Sequence, residues 1–172
     1  MNKTNIISKN INWYLEQIST IISFLKKQEV IHFDAHLGNL ITDKKILILT
    51  DFGLVLDKSF SLSKQEISFF NKNINYNKAT LISNIADPIF DYIFEPNILK
   101  TFEEKYNVDK TTKKEIFENI VFDNLDEIGK KYNKNYIQTL QKYKHIIISY
   151  HVFLHKLRRD FTKSIVFPNN TI

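Results

Sequence analysis

Residues 32–53 read HFDAHLGNLITDKKILILTDFG, which is a polar segment, two short apolar runs and a second polar turn in close succession. The apolar runs, Leu40 to Thr42 and Ile46 to Thr50, flank the polar triplet Asp43-Lys44-Lys45. This pattern predicts a β-hairpin with a three-residue loop. The residues just before the first strand and just after the second therefore lie at the same open end of the hairpin.

Three polar side chains fall at that open end. Asn39 precedes the first strand, Asp51 follows the second, and Asp34 stands five residues before Asn39 on the loop. A carboxylate and a side-chain amide supply hard oxygen ligands, which suit a Mg²⁺ ion that also binds substrate phosphates. With Asn39 and Asp51 on the metal, Asp34 remains free to accept a hydrogen bond from an attacking hydroxyl. The hypothesis is one magnesium phosphate site.

The order of these residues resembles a known catalytic pattern. His32, Asp34 and Asn39 form H-x-D-x-x-x-x-N, and D-F-G follows at residues 51–53, as in the catalytic loop and metal turn of the protein-kinase-like superfamily. The resemblance implies that Asp34 orients the substrate hydroxyl or acts as base. It implies that Asn39 and Asp51 bind Mg²⁺ and ATP, that His32 and Phe52 brace the site, and that Gly53 permits the turn.

The loop also has features of a particular branch. His36 and Gly38 make it similar to the H-x-D-x-H-x-G-N loop of aminoglycoside and choline phosphotransferases, whereas protein Ser/Thr kinases usually have Lys in place of His36. In contrast, the D-F-G-L turn resembles that of protein kinases, and the segment through Ser63 resembles uncharacterised bacterial kinase-like proteins. The resemblance leaves open whether the substrate is a protein or a small molecule.

Helical periodicity surrounds this segment. Apolar spacing predicts a helix over residues 11–28 with Asn10 as its cap, followed by an extended segment at Val30 to Phe33. Capping boxes are predicted at Ser63 with Glu66 and at Thr112 with Glu115. Further helices are expected over residues 78–94, with an interruption near Pro88; over 112–132, with a weak end at Gly129; and over 134–161. The last is predicted to be a core helix rather than a coiled coil.

The expected fold is a single domain over residues 1–172, mainly α with a small β-hairpin (α+β). Its parts are a helix at 11–28, the catalytic loop, hairpin and D-F-G turn at 30–53, and a helical subdomain at 63–161. By resemblance this is the large C-terminal lobe of a kinase-like fold. Residues 1–31 contain no G-x-G-x-x-G loop and no strand lysine, so the small lobe that clamps ATP is expected from a partner chain or by self-association.

Composition excludes several other classes. The chain has no Cys, so disulfides and thiolate metal sites are absent, and only three Gly leave little room for a glycine-rich phosphate loop. The net charge of +5 comes almost wholly from Lys without clustered Arg, which argues against nucleic-acid binding. No apolar run approaches the roughly 20 residues that span a bilayer. A cytoplasmic protein with no membrane partner is expected.

Three other interpretations concern separate groups of residues. The stretch FDAH resembles a manganese motif of arginase-like ureohydrolases, but Gly38 stands where a carboxylate is needed. His151 and His155 have the i, i+4 spacing of metalloprotease ligands without the intervening Glu, so ordinary helix histidines are preferred. Arg158 and Arg159 are attributed to the helix dipole. The remaining functional alternative is a truncated, non-catalytic pseudokinase or binding module.

Overall fold

The computed structural model describes residues 3–159 and Phe167, apart from the side chains of residues 3, 158 and 159. Its α-helices are α1 (Lys3–Lys9), α2 (Ile11–Lys27), α3 (Lys64–Lys72), α4 (Tyr76–Ser83), α5 (Asp87–Ile93), α6 (Pro96–Tyr106), α7 (Lys114–Asp123), α8 (Leu125–Ile128) and α9 (Lys134–Arg159). Its strands are β1 (Val30–His32), β2 (Leu40–Thr42), β3 (Leu47–Leu49) and β4 (Val55–Asp57). The predicted mainly α class with a small hairpin is confirmed.

The predicted hairpin forms from β2 and β3, which pair antiparallel in a register that places Leu40 opposite Leu49 and Thr42 opposite Leu47. The loop therefore has four residues, 43 to 46, rather than the expected three. Its polar side chains replace the missing ladder bonds, because Asp43 Oδ1 accepts from the backbone N–H groups of Lys45 and Ile46. The hairpin thus closes through its own side chains.

A second two-stranded sheet joins the segment before the catalytic loop to the segment after the D-F-G turn. Strands β1 and β4 pair antiparallel, with Val30 opposite Asp57 and His32 opposite Val55. The sequence indicated the extended segment at β1 but missed β4. The pairing closes residues 30–57 into one unit whose two ends meet.

The helices on either side of this unit bury its inner face. Helix α2 confirms the predicted helix, and it buries Ile11, Tyr14, Ile18 and Leu25 on one side. Asn10 precedes it without forming a side-chain cap, and α1 was not predicted. Helix α4 is almost wholly buried and packs against both α2 and α9. It is the central element of the fold.

The C-terminal helical region is more broken than the sequence predicts. The box at Ser63 and Glu66 is confirmed, but Lys113 rather than Thr112 precedes α7, so the second capping box is wrong. Thr112 donates its backbone N–H to Asp109 instead. The expected helix over 112–132 is interrupted at Asn124, and α6 was not predicted. Pro88 lies in the first turn of α5, where a backbone N–H would have no partner within the helix, so its absence costs no hydrogen bond.

Helix α9 packs into the core as predicted. Tyr136, Leu140 and Ile147 are fully buried, and the Tyr136 hydroxyl donates to the carbonyl of Ile85. The predicted helix residue Phe161 lies outside the described residues. None of the helices in residues 3–159 combines the length and hydropathy that a bilayer span requires.

Candidate functional site

The catalytic loop is held in place by polar side chains of the buried helix α4. Asn77 accepts from the backbone N–H of His32 (2.8 Å) and donates to the carbonyl of Val30 (2.7 Å). It therefore mimics a neighbouring strand for β1. The Tyr76 hydroxyl donates to the carbonyl of Phe33, which extends the same contact along the loop.

Just beyond α4, the Asn84 amide donates to the carbonyl of Ala35. Together with the α4 contacts, this satisfies four backbone polar groups of residues 30–35 with buried side chains. Such pairing is what a loop requires when it passes through a core.

His32 links the loop to the end of the hairpin. Its side chain is fully buried, its Nδ1 accepts from the backbone N–H of Asp34 (3.2 Å), and its Nε2 lies 3.1 Å from the carbonyl oxygen of Thr50. These two bonds require the neutral tautomer with the proton on Nε2. The ring of Phe52 meets the His32 ring edge-on, with the centroids 4.9 Å apart. That His32 and Phe52 brace the site remains a prediction, and these hydrogen bonds and this ring contact are the interactions by which they would do so.

Asp34 and Asn39 are joined directly. The Asn39 amide nitrogen donates to both the carboxylate Oδ2 and the carbonyl oxygen of Asp34, each at 2.9 Å. This fixes the amide orientation and leaves Oδ1 of Asn39 as the atom that can bind a cation. The half-exposed His36 lies on the other side of the carboxylate, with Nε2 3.4 Å from Asp34 Oδ1. Asp34 is therefore oriented from two sides and remains open to solvent.

The position of Gly38 in the loop is explained by the close approach of the His36 ring. Gly38 donates its backbone N–H to Nδ1 of His36 (2.8 Å), and a Cβ added to Gly38 would lie only 2.4 Å from the His36 ring. Since Nδ1 of His36 accepts this bond, its proton is on Nε2, facing Asp34. The sequence pairs His36 with Gly38 because the ring lies where a side chain at residue 38 would be.

Asp51 occupies the turn that follows the second hairpin strand. It adopts a left-handed backbone conformation (φ 58°), which Asp tolerates better than most residues. That Gly53 permits the turn stays a prediction, and the positive φ of the turn lies at Asp51 and not at Gly53. The backbone of Gly53 lies close to the Asp51 side chain, because its N–H donates to Oδ1 of Asp51 (3.3 Å).

The hairpin brings the two predicted ligand positions to one end. The backbone N–H and the hydroxyl of Thr50 both donate to the carbonyl oxygen of Asn39, at 2.8 and 2.9 Å. Asp51 is the next residue, so its backbone adjoins that of Asn39. Among the described residues, no hydrogen bond joins the Asp51 carboxylate to Asp34 or Asn39. We call Asp34, Asn39 and Asp51 the hairpin site.

The donor set of the hairpin site fits Mg²⁺. Residues 3–159 contain no group of three or more His, Cys, Asp or Glu side chains that could hold a metal ion. This does not exclude Mg²⁺, because that ion commonly takes only one or two protein ligands and completes its shell with water and phosphate oxygens. Oδ1 of Asn39 and the exposed carboxylate of Asp51 supply two hard oxygen donors of this kind.

The other candidate residues lie elsewhere. His151 contacts Glu118, with its Nδ1 2.9 Å from Oε1, and His155 is exposed. The side chains of Arg158 and Arg159 fall outside the part of the chain that the structure describes. Sequence reasoning missed Asn77 and Asn84. Both are buried polar residues, and with Thr80 they recur at helical spacing, which is a signal for a helix that holds a loop.

Three comparisons with known proteins found no match. No family model matches the chain, and no curated protein or solved structure matches it either.

Proposed function

We propose that the chain is a kinase-like phosphotransferase lobe that transfers the γ-phosphoryl group of ATP to a hydroxyl of a protein or small molecule. The observation that carries the proposal is the contact between Asp34 and Asn39 at the same end of the hairpin as Asp51. Positioning and electrostatic stabilisation are what phosphoryl transfer requires from a protein.

Asp34 accepts the hydrogen bond of the substrate hydroxyl and takes its proton as the oxygen attacks. The new bond joins that oxygen to the γ-phosphorus, and the bond between the γ-phosphorus and the bridging oxygen breaks, releasing ADP. Asn39 keeps the Asp34 carboxylate in a fixed orientation, and His36 lies beside its other oxygen. Oδ1 of Asn39 and the carboxylate of Asp51 would hold a Mg²⁺ ion, which would supply charge neutralisation at the phosphates.

The proposal requires groups that these 172 residues do not contain. The sequence has no G-x-G-x-x-G loop, and its three Gly are Gly38, Gly53 and Gly129. A lobe that clamps the α- and β-phosphates is therefore proposed to come from a partner segment or from self-association. Apolar side chains near the hairpin are exposed and offer a surface for it, namely Ile41, Ile46, Ile48, Phe52, Leu54 and Phe60.

The exposed apolar surface also favours a second candidate function, a non-catalytic binding module. In that case the surface binds a protein partner and the hairpin site has no affinity for nucleotide. The two candidates differ in one measurable property, which is metal-dependent binding of ATP.

Calorimetric titration with Mg-ATP tests the proposal. We expect weak binding, because the phosphate clamps are absent, and Asp51→Asn should abolish the Mg²⁺-dependent part of the signal. Asp126→Asn, an exposed acid on α8, is the control and should bind as the original chain does. Submicromolar affinity would contradict the missing clamps. A titration unchanged by Asp51→Asn would remove Asp51 from its role, and no binding at millimolar Mg-ATP would favour the binding module.

A further inference from the structure

A large cavity opens within the helical region, away from the hairpin site. Its volume is about 1110 Å³, and its walls come from α5, α6, α7, α9 and the segment before α7. Among the described residues, its walls include none of residues 32–53. The cavity is therefore a separate feature that the proposed phosphotransferase reaction does not use.

The wall of this cavity contains a buried carboxylate, and one of its two oxygens lacks a hydrogen-bond donor in the described part of the chain. The Glu118 side chain is only 2% exposed. Its Oε1 lies 2.9 Å from Nδ1 of His151 and 3.4 Å from Nζ of Lys114. Within the described residues, no hydrogen-bond donor reaches Oε2. A buried acceptor without a donor is costly, so a ligand that donates a hydrogen bond here gains more than it would at the surface.

Aromatic rings line the same cavity as this carboxylate. Phe94 stacks on Phe117, with centroids 5.8 Å apart and planes 5° from parallel, and it also stacks on Phe90 at 6.2 Å. Phe94 is 55% exposed, so part of its ring surface is accessible from solvent. Exposed aromatic faces beside a carboxylate match a cation that carries an apolar body.

Charged side chains of both signs line the mouth of the cavity, including the exposed acids Asp109 and Glu115. The four lysines that line it are exposed, namely Lys110, Lys113, Lys114 and Lys156. The buried end carries Glu118 and Asp87 instead. Burial, and then the charge of Asp91, raises the pKa of Asp87 to about 7. A positive group on the ligand donates to Oε2 of Glu118, the oxygen that His151 and Lys114 do not reach.

We propose that this cavity binds a small organic ammonium ion, which donates to Oε2 of Glu118 while its apolar or aromatic body packs along Phe90, Phe94 and Phe117. An anion is disfavoured at the buried end, because it would lie beside the carboxylate of Glu118, and Lys114 already pairs with that carboxylate through Oε1. The proposal is independent of ATP binding at the hairpin site.

Titration with 2-phenylethylammonium, followed by NMR of the His151 ring and of the backbone amides of α7, tests the proposal. We expect saturable shifts with a Kd of roughly millimolar order. The neutral isostere 2-phenylethanol should bind at least about tenfold more weakly, and 3-phenylpropanoate should not bind at the buried end, because only the ammonium can donate a charge-assisted bond to Oε2 of Glu118. Glu118→Gln should weaken the ammonium at least about tenfold. Glu104→Gln, an exposed acid of α6 outside the cavity, is the matched control and should change nothing.

Three results would overturn the proposal: no saturation with the ammonium probe, equal binding of the anion, or unchanged binding by folded Glu118→Gln. If that variant does not fold, Phe94→Ala replaces it, because Phe94 is half-exposed and its removal leaves the core intact. Weaker binding of 2-phenylethylammonium by Phe94→Ala then supports the proposal, and unchanged binding rejects it.

Discussion

The hairpin site and the helical cavity hold their polar groups in opposite ways. At the hairpin site the functional side chains are solvent-accessible, and the buried contacts go to their backbone, as when Asn77 bonds to both sides of the loop. In the cavity the charged side chain itself is buried, and Glu118 relies on His151 from a helix far along the chain. One site is a supported loop, and the other is a gap among packed helices.

This difference determines what mutation does to each region. Loss of a supporting side chain should collapse the hairpin site, since it leaves backbone groups without partners. Removal of the Asp87 carboxyl, which is desolvated and has Asp91 as a like-charged neighbour, should instead relieve the protein of an unfavourable charge at alkaline pH. The predictions below test that contrast, beginning with the largest effect.

Asn77→Ala should cost about 2–4 kcal/mol in the free energy of unfolding, because it leaves the N–H of His32 and the carbonyl of Val30 buried without partners. Urea denaturation measures the change. Asn71→Ala, on the exposed face of α3, is the control and should change stability by less than about 0.5 kcal/mol. A cost below about 1 kcal/mol for Asn77→Ala would mean that α4 does not support the loop.

Asp87→Asn should change how stability depends on pH. The pKa of Asp87 is raised to about 7 by burial, whereas an unfolded Asp titrates near 4, so between these values the folded state holds a proton that the unfolded state has lost. Stability of the original chain therefore falls as pH rises through this window and levels off above it. The variant lacks this fall and should be more stable at pH 8 by about 2 kcal/mol or less, since residual solvent reduces the effect.

Denaturation curves at several pH values check this second prediction. Asp126→Asn, an exposed acid, should leave the pH profile unchanged. Identical profiles for the original chain and Asp87→Asn would show that Asp87 is charged throughout the range and is not desolvated by the cavity wall.

Ile41 and Ile48 face each other across the hairpin on its exposed side, so replacing both with Thr should cost less than about 1 kcal/mol. Leu40→Ala, on the buried side, should cost about 2–5 kcal/mol. Sedimentation velocity should show less self-association for the double Thr variant, because the exposed apolar surface shrinks. Unchanged self-association would place that contact elsewhere.

The same contrast explains what could be predicted from the sequence. The hairpin, its flanking polar residues and the capping box at Ser63 lie within short continuous segments, so spacing alone indicated them. The four-residue hairpin loop was misjudged because Asp43 replaces ladder bonds with its side chain, which spacing does not reveal. The second capping box failed because Thr112 satisfies Asp109 instead.

Features that depend on distant contacts could not be read from the sequence. Strand β4 has three residues and forms because β1 lies beside it. The cavity residues span Asp87 to Lys156 and meet only after four helices have packed. The left-handed backbone of Asp51 arises where the chain leaves the hairpin, and its sequence neighbours alone do not indicate it.

Paramagnetic relaxation by Mn²⁺-ATP tests the central claim most directly, since Mn²⁺ replaces Mg²⁺ at oxygen ligands and affects only nearby nuclei. The account predicts that the amide signals of residues 34–39 and 51–53 broaden together at low occupancy, and that Asp51→Asn removes the effect from both segments. Broadening confined to one segment, or centred on the helical cavity, would contradict a single site formed by Asp34, Asn39 and Asp51.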